Sequence, residues 1–140
     1  MSLGNIKAEL ETYLDDNLTN VAIKWSNSDT YTKGGSVLSA TEISNLTLFI
    51  EPMIIPLSDK KEVISGVVGY KNKVIFQISV YGKKNKGMGS IISNADISKA
   101  LYKEKTINGV VCESSEYLPY YDFGEWVVLP VSINAFKRFA

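Results

Sequence analysis

The chain has 140 residues, of which 45% are apolar and 21% charged, a balance that suits one globular domain with its own core. Fifteen basic and fifteen acidic residues give a formal net charge of zero, so there is no global pull toward nucleic acid or anionic lipid. There is no histidine and a single cysteine, Cys112, which excludes His-based general bases, Ser-His-Asp and Cys-His triads, His-ligated metals, thiolate clusters and an intrachain disulfide.

The first element in chain order is a helix over residues 4–17. Ile6, Leu10, Tyr13 and Leu14 form an apolar stripe, with Lys7, Glu11 and Asp15 off it and Asn17 as the stop. The opening residues Met1-Ser2-Leu3-Gly4 lack the basic and apolar regions of a signal peptide. With no run of about 18 apolar residues there is no membrane span, and a reducing cytoplasm fits the lone cysteine. Val21–Trp25 reads as a short strand, and Ser26–Ser36 as a polar loop ending in Gly34-Gly35. Leu46–Glu51 reads as a second strand, broken by Pro52 and Pro56. A third strand runs from Val63 to Tyr70, weakened by Gly66 and Gly69; a tight turn at Lys71-Asn72 would make residues 63–82 a hairpin.

Lys73–Tyr81 has the clearest strand pattern. Val74, Phe76, Ile78 and Val80 alternate with Ile75, Gln77, Ser79 and Tyr81. A basic turn, Gly82–Gly87, carries Lys83, Lys84 and Lys86. The helix Met88–Lys103 follows, with Met88, Ile91, Ile92, Ala95 and Tyr102 as its main stripe and Ile97 and Leu101 on a second apolar side. Asn108-Gly109 is a turn before a strand at Val110–Tyr117. An aromatic loop from Leu118 to Gly124 leads to the last strand, Glu125–Phe136, in which Pro130 argues for an edge position or a bulge. The order α-β-β-β-β-α-β-β predicts an α+β fold, a mostly antiparallel mixed sheet packed by two helices, in a single domain over residues 1–140.

Four segments are candidates for chemistry. Gly82-Lys83-Lys84-Asn85-Lys86-Gly87 has the frame of a phosphate loop between a strand and a helix. A working loop needs Lys directly after the second Gly and then Ser or Thr; here those positions hold Met88 and Gly89. Asp15-Asp16 and Glu113/Glu116 are close acidic pairs, but adjacent residues at a helix end and residues three apart on a strand diverge, so solvated charge is the simpler account. The aromatic stretch Tyr117–Trp126 could stack bases or sugars. Its charges are Glu116, Asp122 and Glu125 with no basic residue, which favours a protein interface or a core lid. No catalytic, cofactor-binding or metal-binding residue is assigned.

The pattern as a whole resembles the tail terminator (tail completion) proteins of long-tailed bacteriophages and prophages. The features that carry it are the helix Ile6–Leu14 followed by Val21-Ala22-Ile23-Lys24-Trp25, the strand Leu46–Pro52 ending in Pro, the strand Val74–Tyr81 leading through a Lys/Gly loop into the helix Ile91–Lys103, and the closing run Trp126-Val127-Val128-Leu129-Pro130-Val131-Ser132-Ile133. The resemblance implies a non-enzymatic virion protein without cofactors. It implies a homo-oligomeric ring, usually a hexamer, that caps the tail tube, ends its polymerisation and presents the surface that joins the head. Its partners would then be itself, the major tail tube protein and a head–tail connector, with no membrane and no specific nucleic-acid recognition. It would sit in the virion tail after assembly in the host cytoplasm. Ile97 and Leu101 are expected at or near a subunit contact. Two alternatives stand beside this one: another head–tail joining protein of similar fold, or a small-ligand or nucleotide-binding module built on residues 82–90.

Overall fold

The computed structural model describes residues 3–64 and 66–139; Met1, Ser2, Ser65 and Ala140 lie outside the described residues. The fold is α+β, as the element pattern predicts, with three helices and a largely antiparallel sheet of ten strands. The helices are α1 (Leu3–Asn17), α2 (Ala40–Ser44) and α3 (Gly89–Tyr102). The strands are β1 (Ala22–Lys24), β2 (Tyr31–Lys33), β3 (Ser36–Val37), β4 (Leu48–Pro56), β5 (Lys60–Ile64), β6 (Val67–Lys83), β7 (Thr106–Ile107), β8 (Val110–Tyr117), β9 (Tyr121–Phe123) and β10 (Trp126–Phe139). Across the sheet the order is β3-β2-β1-β4-β6-β10-β8-β7, with β5 added to β6 and β9 to β10. Among the described residues only the β1–β4 pair is parallel, which makes the sheet mixed.

The spine of the molecule is β6 against β10, antiparallel and unbroken from Trp126↔Lys83 to Phe139↔Tyr70. Val74, Phe76, Ile78 and Val80 of β6 are buried, as their alternation requires, with Val131, Ile133 and Ala135 of β10 beside them. Ile6, Leu10 and Leu14 of α1 and Ile91, Ala95 and Tyr102 of α3 close the same core from one side of the sheet. The Tyr102 hydroxyl donates to the Leu10 carbonyl at 2.7 Å, tying the two helices together. Both helices therefore cover one face, and among the described residues no helix packs on the other.

Several local expectations change. Lys71-Asn72 is not a turn. Both residues lie inside β6, paired with Arg138 and Lys137 of β10, and the chain reverses instead beside Gly66, whose φ of 78° suits a turn. The hairpin arm that precedes β6 is β4 continued by β5. Pro52 and Pro56 do not break β4. Ser26 Oγ donates to the Pro52 carbonyl, which places the Pro52 nitrogen on the flank away from β6, where no ladder donor is needed. The polar stretch 26–36 holds β2 and β3, and Ser39 opens the short α2 with a capping box to Glu42.

Pro130 is neither at an edge nor at a bulge. β10 is flanked on both sides, but its ladder with β9 ends at Val128 and its ladder with β8 begins at Val131. The Pro130 carbonyl accepts from Leu118 N at 3.0 Å, so its nitrogen faces the gap between those two ladders. The bulge lies further on, between Asn134 and Ala135. In α3 the buried stripe is Ile91, Ala95, Ser98 and Tyr102, and Ile92 turns outward. Ser98 is fully buried and its hydroxyl has no hydrogen-bond partner among the described residues.

Candidate functional site

The strand–loop–helix unit between β6 and α3 holds the phosphate-loop frame Gly82–Gly87. Gly82 sits where α3 crosses β6. A Cβ there would lie 2.4 Å from Ile91 Cγ1 and 2.5 Å from Ile91 Cδ1, so the contact needs a glycine. The chain then turns through Asn85 and Gly87, both at positive φ. Met88 caps α3 without a side-chain hydrogen bond. A cavity of about 380 Å³ lies between the loop, Thr47, Leu48 and Ser90.

The charges of this loop are already matched. Lys83 Nζ is 3.0 Å from Glu125 Oε2 and lies over the Trp126 ring, 5.1 Å from its centroid. Lys84 Nζ is 3.6 Å from Asp122 Oδ2, and its amide donates to the Glu125 carbonyl at 3.0 Å. The acidic hairpin of β9 and β10 thus neutralises two of the three lysines, leaving Lys86. A phosphate would meet a cradle whose cations face carboxylates and whose key position is Met88.

The acidic pairs stay apart. Glu116 stands opposite Ser132 on the uncovered side of the sheet, whereas Glu113 lines the groove beside α3. Asp15 borders a shallow recess with Glu11, Thr12 and Trp25, and Asp16 is exposed. Among the described residues no three Cys, Asp or Glu side chains are placed to hold a metal ion. The carboxylate the sequence did not flag is Glu51. It receives Lys24 Nζ at 2.9 Å on one oxygen and the Tyr81 hydroxyl at 3.2 Å on the other. Burial and the neighbouring Glu51 charge push the Tyr81 hydroxyl well above the usual phenol range. Both oxygens of Glu51 are engaged, which suits a structural tie better than proton transfer.

The uncovered face is where the aromatics gather. Phe49 stacks on Tyr81 with centroids 4.5 Å apart and an interplanar angle of 8°. Trp126 meets Phe49 edge-on at 4.9 Å, Tyr31 does so at 5.5 Å, and Phe123 approaches Tyr81 at 6.5 Å. At the rim Phe123 is 63% exposed and Tyr121 46%, with Tyr120 at 64% in the connecting loop. The aromatic stretch expected as one cluster is split, because Tyr117 ends β8 whereas Tyr121 and Phe123 belong to β9. Tyr117 turns to the helix side, where its hydroxyl donates to Asp96 and Lys99 lies 4.6 Å above its ring. The hydrogen bond to Asp96 raises the Tyr117 pKa.

The two off-stripe residues of α3 part company as well. Ile97 is 47% exposed, as is Ile92, whereas Leu101 is half-buried against the core. Large apolar side chains therefore face solvent on two sides of the molecule, the outer side of α3 and the aromatic face of the sheet. Exposed apolar surface of this kind marks interaction surfaces.

No protein-family model matches the chain, and no curated protein matches it significantly. Four chains among solved structures match. One of them is 15% identical and aligns over 100% of this chain and 98% of its own, with a TM-score of 0.66. That likeness spans the whole length and shows a shared fold.

Proposed function

We propose that this chain is a structural subunit of a ring that caps the tail tube of a long-tailed phage or prophage, ends tube polymerisation and offers the surface that joins the head. The observation that carries the proposal is the one-sided sheet. Both long helices cover one face, and the other keeps a connected aromatic surface whose rim residues Tyr121 and Phe123 reach solvent. The outer side of α3 adds Ile92 and Ile97. A subunit of a closed ring needs separate surfaces for its two neighbours and for the tube, and this fold has more than one. The sequence resemblance in the opening helix and strand, the β6–α3 unit and the Pro-containing last strand supplies the family.

Another head–tail joining protein of similar fold would use the same surfaces. A nucleotide-binding module on residues 82–90 is disfavoured by the Lys83–Glu125 and Lys84–Asp122 pairs. The test is the state of association. Light scattering on a size-exclusion column should give a mass several times that of one chain, and electron microscopy should show rings with a central hole. A strict monomer across micromolar concentrations, with no rings on the grid, would overturn the proposal.

A further inference from the structure

Two of the unpaired strand edges of the sheet lie on opposite flanks. The first belongs to β8. β7 pairs with it at Val110 and Val111, the Cys112 N–H donates to the Lys105 carbonyl, and beyond Glu113 the residues Ser114–Tyr117 pair with β10 alone among the described residues. Leu118 N–H points inward to the Pro130 carbonyl, so strand alternation turns the N–H and C=O of Ser115 and Tyr117 outward. Alongside runs a groove of about 430 Å³ between β8 and α3, lined by Asp96, Lys99, Lys103, Glu113 and Ser115.

The second edge belongs to β5. At Tyr70 and Lys71, β6 is paired by β10 on one flank and by β5 on the other, so the outer side of β5 has no strand beside it among the described residues. This part of the sheet also overhangs. Among the described residues the main core cluster ends at Val74 on β6 and Ala135 on β10, with Phe136 buried just past it, so β6 residues 67–73 run on for roughly 23 Å beyond that cluster, at about 3.3 Å per residue. Val63 on β5 is 64% exposed. A narrow ribbon that runs past the main core is marginal alone and gains cover from a partner.

We infer that β5 of one copy adds as an outer strand to the Ser114–Tyr117 edge of β8 in a second copy of this chain. Three observations select that occupant. The two edges lie on opposite flanks, which is the head-to-tail arrangement that closes into rings. Their charges are complementary: Lys61 is exposed on β5, and Glu113 and Glu116 are exposed on β8. The remaining long edge, along β4, carries Pro52 and Pro56, which deny donors to an incoming strand, whereas the β8 edge has no proline. Backbone pairing supplies the attachment and the groove beside α3 receives the side chains. This inference deepens the ring proposal and rests on the self-association it requires.

The test mixes two single-cysteine additions of the full chain. V63C is combined in turn with S114C, S115C, E116C and Y117C under mild oxidation, with the buried Cys112 left in place. An interchain disulfide is expected with one or two of the four partners, those on one face of the pleat. The variant S115P removes an outward donor without touching the β10 ladder. It should keep its circular dichroism and melting temperature and lose association at least about tenfold. Oligomers that form with no V63C cross-link at any of the four positions, and that S115P leaves intact, would overturn the edge-to-edge contact while the ring stands. A monomer at every concentration would overturn both.

Discussion

Gly82 sets how closely α3 can approach β6. Ile91 is buried, and a methyl group on residue 82 would lie 2.4 Å from its Cγ1, so one of the two must shift. Gly82→Ala should therefore cost about 1–3 kcal/mol of unfolding free energy in urea titrations, the usual range for overpacking. Ile91→Val, which alone costs roughly 0.5–1.5 kcal/mol, should recover part of that loss in the double variant. Strict additivity would mean that the two groups do not clash. Cys112 gives a second prediction at this scale. Burial pushes its thiol from 9.0 to about 11. Between those values the unfolded chain releases the proton and the folded one keeps it, so the contribution is full below pH 9 and is lost as pH rises to 11. The size is roughly 2–3 kcal/mol at about 1.4 kcal/mol per pH unit. The half-buried Tyr81 and the buried Tyr102 hydroxyls, also pushed up, extend the decline above pH 10. Urea midpoints of the wild type should fall from pH 9, and those of Cys112→Val should hold until the tyrosines begin to titrate. Superimposable curves would refute this.

Proline placement explains how β10 stays central. Pro130 turns its nitrogen into the gap between the β9 and β8 ladders, whereas the next residue, Val131, faces β6 with its N–H. Val131→Pro should cost ~3 kcal/mol or more by removing a ladder bond at the spine, and Pro130→Ala only about 1 kcal/mol. Equal costs, measured by urea titration, would show that the two positions do not differ in direction. The contrast also marks what the sequence could reveal. The alternation of Val74, Phe76, Ile78 and Val80 and the stripe of Ile6, Leu10 and Leu14 are local patterns with a buried consequence, and both are visible without partners. Lys71-Asn72 looks like a turn locally, but pairing with Lys137 and Arg138, more than sixty residues on, makes it strand. The lysines of the 82–87 loop looked available because Asp122 and Glu125, some forty residues away, reach them only through the β6–β10 register. Ser98 took a core position that the stripe of larger apolar residues hid. Of the exposed apolar side chains, Ile97 was legible from helical periodicity, whereas the split of Tyr117 from Tyr121 and Phe123 depended on a change of strand between them.

At the scale of the molecule, order is distributed unevenly along one pair of strands. From Lys83 to Val74, β6 lies over a core closed by α1 and α3; from Lys73 to Val67 it continues with only β5 and the end of β10 beside it. The same hydrogen-bonded ladder therefore has two stabilities. Opening the inner half exposes Phe76, Ile78 and Val80, which are fully buried, so its amides should exchange only through global unfolding. Among the described side chains of the outer half, the buried apolar one that opening exposes is Phe136, which Lys71 and Arg138 flank at 4.2 and 4.8 Å from the ring centroid. In dilute, dissociated protein the amides of residues 67–73 should exchange at least about a hundredfold faster than those of 76–80, a local opening cheaper by roughly 2.7 kcal/mol or more. As concentration rises and copies associate, protection should grow in 60–64 and 67–73 and in 114–117, and in little else. Equal protection of both halves of β6 in the monomer would show that the overhang needs no partner. Protection that grows over the aromatic face around Phe123 instead would place the contact between copies on the sheet face rather than at its edges.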